Sequence, residues 1–209
     1  MSSSEPSLKT CRKIGNLDLF NSPDCHSLAA LPIQQAEALG AYFSQTSFTK
    51  IYASPLKRAA TTAAFILAAQ PSPQPPHDFN VESIKEQNFG AAEGKKWSSR
   101  DYRTSKSLAE YVSEGKYPAL LPGERFPGGE SDEDLAARAA RAVDEVIMPH
   151  VRSAVREGRA EHIVLVSHGL FIGALIAALL KKDSSGVSST REYTGMQNTA
   201  WARMIIQVG

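Results

Sequence analysis

Cysteine is scarce. The two residues of this type, Cys11 and Cys25, cannot build a disulfide framework and read as free thiols of a reducing compartment. With His26 they lack the matching second ligand pair of a zinc site. Long apolar runs are missing as well, none approaching the roughly 20 residues of a membrane span. The first residues, Met-Ser-Ser-Ser-Glu-Pro-Ser-Leu-Lys, have no apolar centre of the signal-peptide kind. Nor is there excess charge: Lys and Arg number 23 against 22 Asp and Glu. Nucleic acid and membrane surfaces are therefore not expected partners. A P-loop and internal repeats are absent. What these absences leave is a cytoplasmic α/β protein whose 209 residues suffice for one core.

What is present centres on Ile163-Val164-Leu165-Val166, a β-branched run that stops at Ser167-His168-Gly169. Leu170, Phe171, Ala174, Leu175, Ala178 and Leu179 then recur at helical spacing up to Lys181. The pattern predicts a strand buried on both faces, turning tightly into a helix. Ligands bind at the carboxyl end of such a strand in an open α/β sheet, and an imidazole beside a helix start is aimed at an anion. Ser167 is not the nucleophile of a serine hydrolase, because Leu165 breaks the Gly-x-Ser-x-Gly pattern.

Along the chain, residues 1–27 read as tail and loop, and 28–209 as the domain. A first helix carries Leu28, Leu31, Ala36, Leu39, Tyr42 and Phe43 on its apolar side. Phe48–Ala53 reads as a strand. Ser54-Pro55 then opens a helix to Gln70, with Ser54 as cap and Arg58 in the first turn. A cation at that end of a helix is locally unfavourable unless an anion is shared with it. Pro71–Pro76 is a stiff connector, Phe79–Ile84 another strand, and Lys85–Lys95 a loop with two acids and two glycines. Residues 98–114 read as a polar helix. Ser131-x-x-Asp134 starts the longest helix with a capping box, and Pro149 is expected to kink or end it. A Ser-rich loop spans 182–190, and 199–208 closes the chain as a strand.

Four pieces stand together: Ser54-Pro-Leu-Lys-Arg58-Ala59, Glu86…Phe89-Gly90…Glu93-Gly94, Pro127-Gly-Gly-Glu-Ser131 and Val166-Ser-His168-Gly169. Gln34–Gly40 and Asn198-Thr199 join them. In this order the set resembles the histidine phosphatase superfamily, also called phosphoglycerate mutase-like, and within it the phosphoglycerate mutase and fructose-2,6-bisphosphatase branch. The resemblance implies a three-layer α/β sandwich around a mostly parallel sheet. It also implies phosphomonoester chemistry on a small phosphorylated metabolite, such as a sugar phosphate, with hydrolysis and mutase activity both open. Arg58 would fork onto the phosphoryl oxygens, helped by His168 if that ring is protonated, by Gly169 at the helix start and by Asn198. Glu86 would protonate the leaving alkoxide, with Glu93 a structural neighbour. No metal or cofactor is implied.

One part of the family pattern is missing. The family opens with an apolar strand ending in Arg-His-Gly, whose histidine is the nucleophile that becomes phosphohistidine. No Arg-His-Gly occurs here. The histidines are 26, 77, 150, 162 and 168, and the first ten residues are too polar for a buried strand. The expectation is a chain lacking that central strand, through a truncated gene model, an alternative first exon or real loss. It would be impaired as an enzyme and would leave two buried strand edges unpaired. The alternative is an inactive relative that binds phosphorylated ligands. Residues 95–125, with Lys95, Lys96, Arg100, Arg103 and Lys106, read either as a basic lid over the ligand or as a solvated face.

Overall fold

A computed structural model describes residues 8–15, 31–183 and 198–208. Strand β1 is Leu8–Gly15, helix α1 Leu31–Phe43, β2 Lys50–Ala53, α2 Lys57–Ala68 and β3 His77–Asp78. Then come β4 Trp97–Ser98, α3 Leu108–Ser113, β5 Tyr117–Pro118, α4 Asp132–Ala142 and α5 Met148–Glu157. Strand β6 is Ile163–Val166, α6 Gly169–Lys181 and β7 Trp201–Val208. The readings at Leu28, Cys25, His26 and the Ser-rich loop beyond Asp183 lie outside the described residues.

The fold is mixed α/β with a mostly parallel arrangement of strands. The sheet β3-β2-β6 is parallel throughout, and its alternation sorts the core into two layers. Ile51, Ala53, Val164 and Val166 face α1 and α2, packing with Leu39, Ala63 and Ile66. Tyr52, Ile163 and Leu165 face the opposite way onto Leu135 of α4, Val143 and Ile147 between α4 and α5, Val151 of α5, and Phe171 and Leu175 of α6. β7 obeys the same sorting: Trp201 joins the first layer, while Met204, Ile206 and Val208 join the second. Yet β6 and β7 are not hydrogen-bonded to each other. β7 pairs antiparallel with β1, and the two form a separate ribbon.

Several local expectations change. Residues 1–27 are not all tail and loop, since Leu8–Gly15 is a strand that pairs with β7 from Leu8↔Val208 to Gly15↔Trp201. That stretch is polar, but main-chain pairing asks only for an available edge. The strand read at Phe79–Ile84 is the two-residue β3 just before it and a 3-10 turn at Glu82–Ile84. The polar helix read at 98–114 shrinks to α3, because Trp97–Ser98 pairs with Tyr117–Pro118. Pro149 neither kinks nor ends the helical run: a π-helical turn at Val143–Ile147 precedes it and places it in the first turn of α5, where its missing N–H costs nothing. β6 is half-buried rather than buried, and Leu170 is 47% exposed. The capping box does form, Ser131 Oγ accepting from Asp134 N at 3.2 Å while Ser131 N donates to Asp134 Oδ2 at 3.1 Å.

Candidate anion site at the ends of β2 and β6

Parallel pairing brings the carboxyl ends of β2 and β6 out at one level, Ala53 opposite Val166. The residues that follow meet there. Ser54 N donates to Val166 O at 3.0 Å, and Ser54 itself is fully buried. Its hydroxyl is not the cap of α2, which begins at Lys57 without a side-chain cap. Instead Ser54 Oγ lies 2.9 Å from His168 Nε2 and accepts from Leu56 N at 3.3 Å. On the other side of the ring, Arg58 Nε donates to His168 Nδ1 at 3.0 Å. Arg58 and His168 are 110 residues apart in sequence and touch in space.

This geometry fixes the state of the imidazole. A guanidinium N–H can only donate, so Nδ1 is an acceptor and the ring proton sits on Nε2, donating to Ser54 Oγ. Burial, with the Arg58 and Arg138 charges added, holds the His168 pKa down at about 4. The histidine is 6% exposed. His168, which would be a second cation only if protonated, is thus a neutral ring, held off its charge first by burial and then by the Arg58 guanidinium.

Glu86 reaches the same corner from the loop after Ile84. Its Oε1 accepts from Phe171 N at 3.2 Å and from Gln87 N at 3.0 Å. The first accepted bond satisfies a free donor in the opening turn of α6, where an anion belongs. Arg58, Glu86, His168, Gly169 and Asn198 all line one cavity of about 1550 Å3. Gly169 is not there for space, since a Cβ on it would meet nothing within 4 Å.

The loop carrying Glu86 is locked by a residue the sequence reading passes over. Arg138 of α4 donates to the carbonyls of Ser83, Lys85 and Glu86 at 3.0, 2.8 and 3.1 Å. The same guanidinium forks onto Glu130 with two bonds of 2.7 Å and lies over the Phe171 ring. Glu130, the acid of Pro-Gly-Gly-Glu, accepts from Asn88 N at 2.9 Å, and its carboxyl is held below the usual carboxylate range, first by Arg138. A signal for Arg138 does exist: it follows Leu135 by three and precedes Ala142 by four, so a charge sits on the inward stripe of α4. Glu93 is structural, its Oε1 accepting from Phe89 N at 2.8 Å. Gly90 adopts φ +52, and a Cβ there would stand 2.3 Å from Pro127 O. The two glycine loops therefore meet backbone to backbone.

Other candidates fall away. Ser167 Oγ donates its proton to Ile84 O at 2.7 Å. Among the described residues no cluster of His, Cys, Asp and Glu could hold a metal, and no helix is long and apolar enough to cross a membrane. No residue of the basic stretch 95–125 lines the cavity, which favours the solvated-face reading. Arg100 pairs with Glu124, Arg103 with Asp101 and Lys106 with Glu114.

The sequence matches the histidine phosphatase superfamily (branch 1) over residues 20–207, and the chain belongs to that family. No curated protein matches it. Among solved structures, it is similar to mycobacterial hydrolase 1, at 26% identity and TM-score 0.47, over 71% of this chain and 64% of that one. A mycobacterial glucosyl-3-phosphoglycerate phosphatase complexed with inorganic phosphate aligns at 25% identity and TM-score 0.49, over 84% of this chain and 79% of its own. An ecdysone phosphate phosphatase from Bombix mori, in complex with tungstate, aligns at 15% identity and TM-score 0.45, over 86% and 69%. The chain thus spans less than two thirds of the length of the first of these structures.

Proposed function

We propose that this corner is a phosphomonoester site for a small phosphorylated metabolite, such as a sugar phosphate, of which this sequence supplies the binding cations, the helix start and the acid. The observation that carries the reading is the Arg58 Nε to His168 Nδ1 bond of 3.0 Å beside the first turn of α6. The dianion would take the fork of Arg58 and, by its charge, raise the pKa of His168 until the ring becomes a second charged donor. It would also displace Glu86 from the Phe171 N–H. Freed from that bond, Glu86 becomes available to carry a proton to a leaving alkoxide. Charge spread over the phosphoryl oxygens is stabilised by donors already in place.

The phosphohistidine step of the family needs a nucleophilic imidazole facing the phosphorus. Among the described residues the cavity has two further histidines, both engaged elsewhere: His150 lies against Glu161 and Tyr52, and His162 Nε2 is 3.2 Å from Arg203. We therefore read the chain as a binder of phosphorylated ligands with little turnover of its own. Calorimetric titration with inorganic phosphate and a panel of sugar phosphates, alongside p-nitrophenyl phosphate hydrolysis, tests this. Saturable binding weakened at least tenfold by Arg58→Ala supports the site. Unchanged binding removes Arg58 from it, and competent hydrolysis by the unaltered chain overturns the assignment of the nucleophile.

A further inference from the structure

One motif of the sequence plays no part in the anion site. Four of the 12 prolines fall in Pro71-Ser72-Pro73-Gln74-Pro75-Pro76, the link from α2 to β3. Strand β3 runs parallel to β2, so the link enters at the amino end of the sheet, opposite the end that holds Arg58 and His168. None of its six residues lines the cavity. Backbone chemistry sets its shape. Proline holds φ at about −65°, and a residue before proline is kept out of the α region, which applies to Gln74 and Pro75. Pro73–Pro76 is therefore one turn of polyproline II helix, three residues and about 9 Å long, with Pro73 and Pro76 on the same ridge. Exposure follows that period: Pro73 and Pro76 are exposed, while Pro75 is half-buried. Gln74 Nε2 donates to Leu67 O at 3.1 Å and ties the turn to the end of α2. Pro76 O accepts from Ile51 N at 3.1 Å and ties it to the sheet. The prolines have no N–H to offer, and among the described residues nothing donates to the carbonyls of residues 71–75.

We infer that Pro73–Pro76 is a ligand for a polyproline-binding domain, a partner protein whose groove is floored by aromatic side chains and rimmed by cations. The ridge of Pro73 and Pro76 fits the gaps between aromatic rings, and the free carbonyls accept from Trp or Tyr donors of the groove. Because the turn is already set and held at both ends, docking costs little chain entropy. The charge of the rim follows from the flanks. No Lys or Arg occurs between Arg58 and Lys85, and the charges beside the turn are the exposed Asp78 and Glu82. A groove rimmed by carboxylates would meet like charge and is disfavoured. Docking at the amino end of the sheet leaves the mouth beside Arg58 and His168 open, so the partner localises the chain without closing its anion site.

The test titrates the full chain into an SH3 domain that carries carboxylates beside its aromatic groove, and into the same domain with those carboxylates changed to Lys. The fluorescence of the groove tryptophan is read. The Lys-rimmed domain should bind saturably, one to one, and about tenfold tighter than the acid-rimmed one. Pro73→Ala and Pro76→Ala should each weaken that binding about tenfold, whereas Pro75→Ala, on the inward side, should change it less than about twofold. Thermal melts check that each variant folds. Asp78→Lys keeps every proline and should cut the preference between the two domains to about twofold or less. No saturation of either domain at about millimolar chain, or equal binding by Pro73→Ala and the unaltered chain, overturns the polyproline ligand. Tighter binding of the acid-rimmed domain overturns the charge assigned to the partner, and a loss at Pro75→Ala as large as at Pro73→Ala overturns the docking ridge. Phosphate titration is read separately, so failure of one site leaves the other standing.

Discussion

Replacing Arg138 by Met is the most demanding test of how the acid-bearing loop is held. Methionine keeps much of the apolar stem and its contact with Phe171, and removes only the guanidinium. Five hydrogen bonds go with it, three to the carbonyls of Ser83, Lys85 and Glu86 and two to Glu130. The pair is largely shielded, with 14% and 22% of the Arg138 and Glu130 side chains exposed. Stranding one partner of a fully buried pair costs about 3–5 kcal/mol, and an orphaned carbonyl on the order of 1 kcal/mol. Since water can reach Glu130 and the loop can relax, the expected loss is about 4 kcal/mol rather than the sum. With a slope of about 2 kcal/mol per molar urea, the midpoint should fall by about 2 M.

Glu130→Gln should cost less, about 1–2 kcal/mol, because Arg138 keeps its three carbonyls. The double variant should fall short of the two losses added together. Because the folded Glu130 carboxyl sits below its ordinary range, its contribution is present above the unfolded carboxylate pKa and lost as pH falls through the folded one. Arg138→Met should flatten that acid limb of the stability curve. A midpoint shift below about 0.5 M, with an unchanged acid limb, would refute the clamp.

His168 gives a second pH effect of opposite origin. The unfolded ring takes its proton near 6.5 and the folded one only near 4, so the unfolded state binds more protons between those values and stability falls as pH drops through that window. The shift corresponds to at most about 3.5 kcal/mol, and solvent at the cavity mouth brings it to about 1–2. Thermal melts of the unaltered chain against His168→Asn, from pH 7 to pH 4, should show the excess fall only in the former, smaller when phosphate is present. Gly90→Ala should destabilise by about 2–3 kcal/mol, from the positive φ and the Pro127 O contact together. A chemical melt showing less than about 0.5 kcal/mol of change would mean that the two glycine loops do not rely on their close approach.

The elements legible in the sequence were those with a one-dimensional signature. Ile163–Val166 with its following helix, the apolar face of α1 and the Ser131–Asp134 cap are each written in spacing or in local hydrogen-bond chemistry. The elements that were not legible depend on a partner far along the chain. β1 is a strand because β7 offers it an edge, and Trp97–Ser98 because Tyr117–Pro118 does. Nothing in the polar content of either stretch announces that. The π-helical turn before Pro149 is similar, since it is settled by how Val143, Val146 and Ile147 pack into the core rather than by propensity.

The site divides along the same line. Residue types at Arg58, Glu86 and His168 were legible because an anion demands them; their protonation and pairing were not, because those belong to distances between segments. Ser54 looked like a cap and is the hydrogen-bond partner of an imidazole. His168 could act as a cation only if protonated and is neutral, since it is buried and Arg58 points its N–H at the ring. Glu86 read as the acid for a leaving alkoxide and its carboxylate accepts from the helix start. The three departures share a cause. The cation, the ring and the carboxylate satisfy one another or the nearest backbone donor, as groups shielded from water must. A phosphoryl group would have to break the Arg58–His168 and Glu86–Phe171 bonds on entering. That exchange favours a dianion over a singly charged competitor, because the larger charge raises the pKa of His168 further while still taking the guanidinium fork. Discrimination between phosphate and chloride or acetate in the calorimeter is therefore the sharpest readout of whether these groups act together.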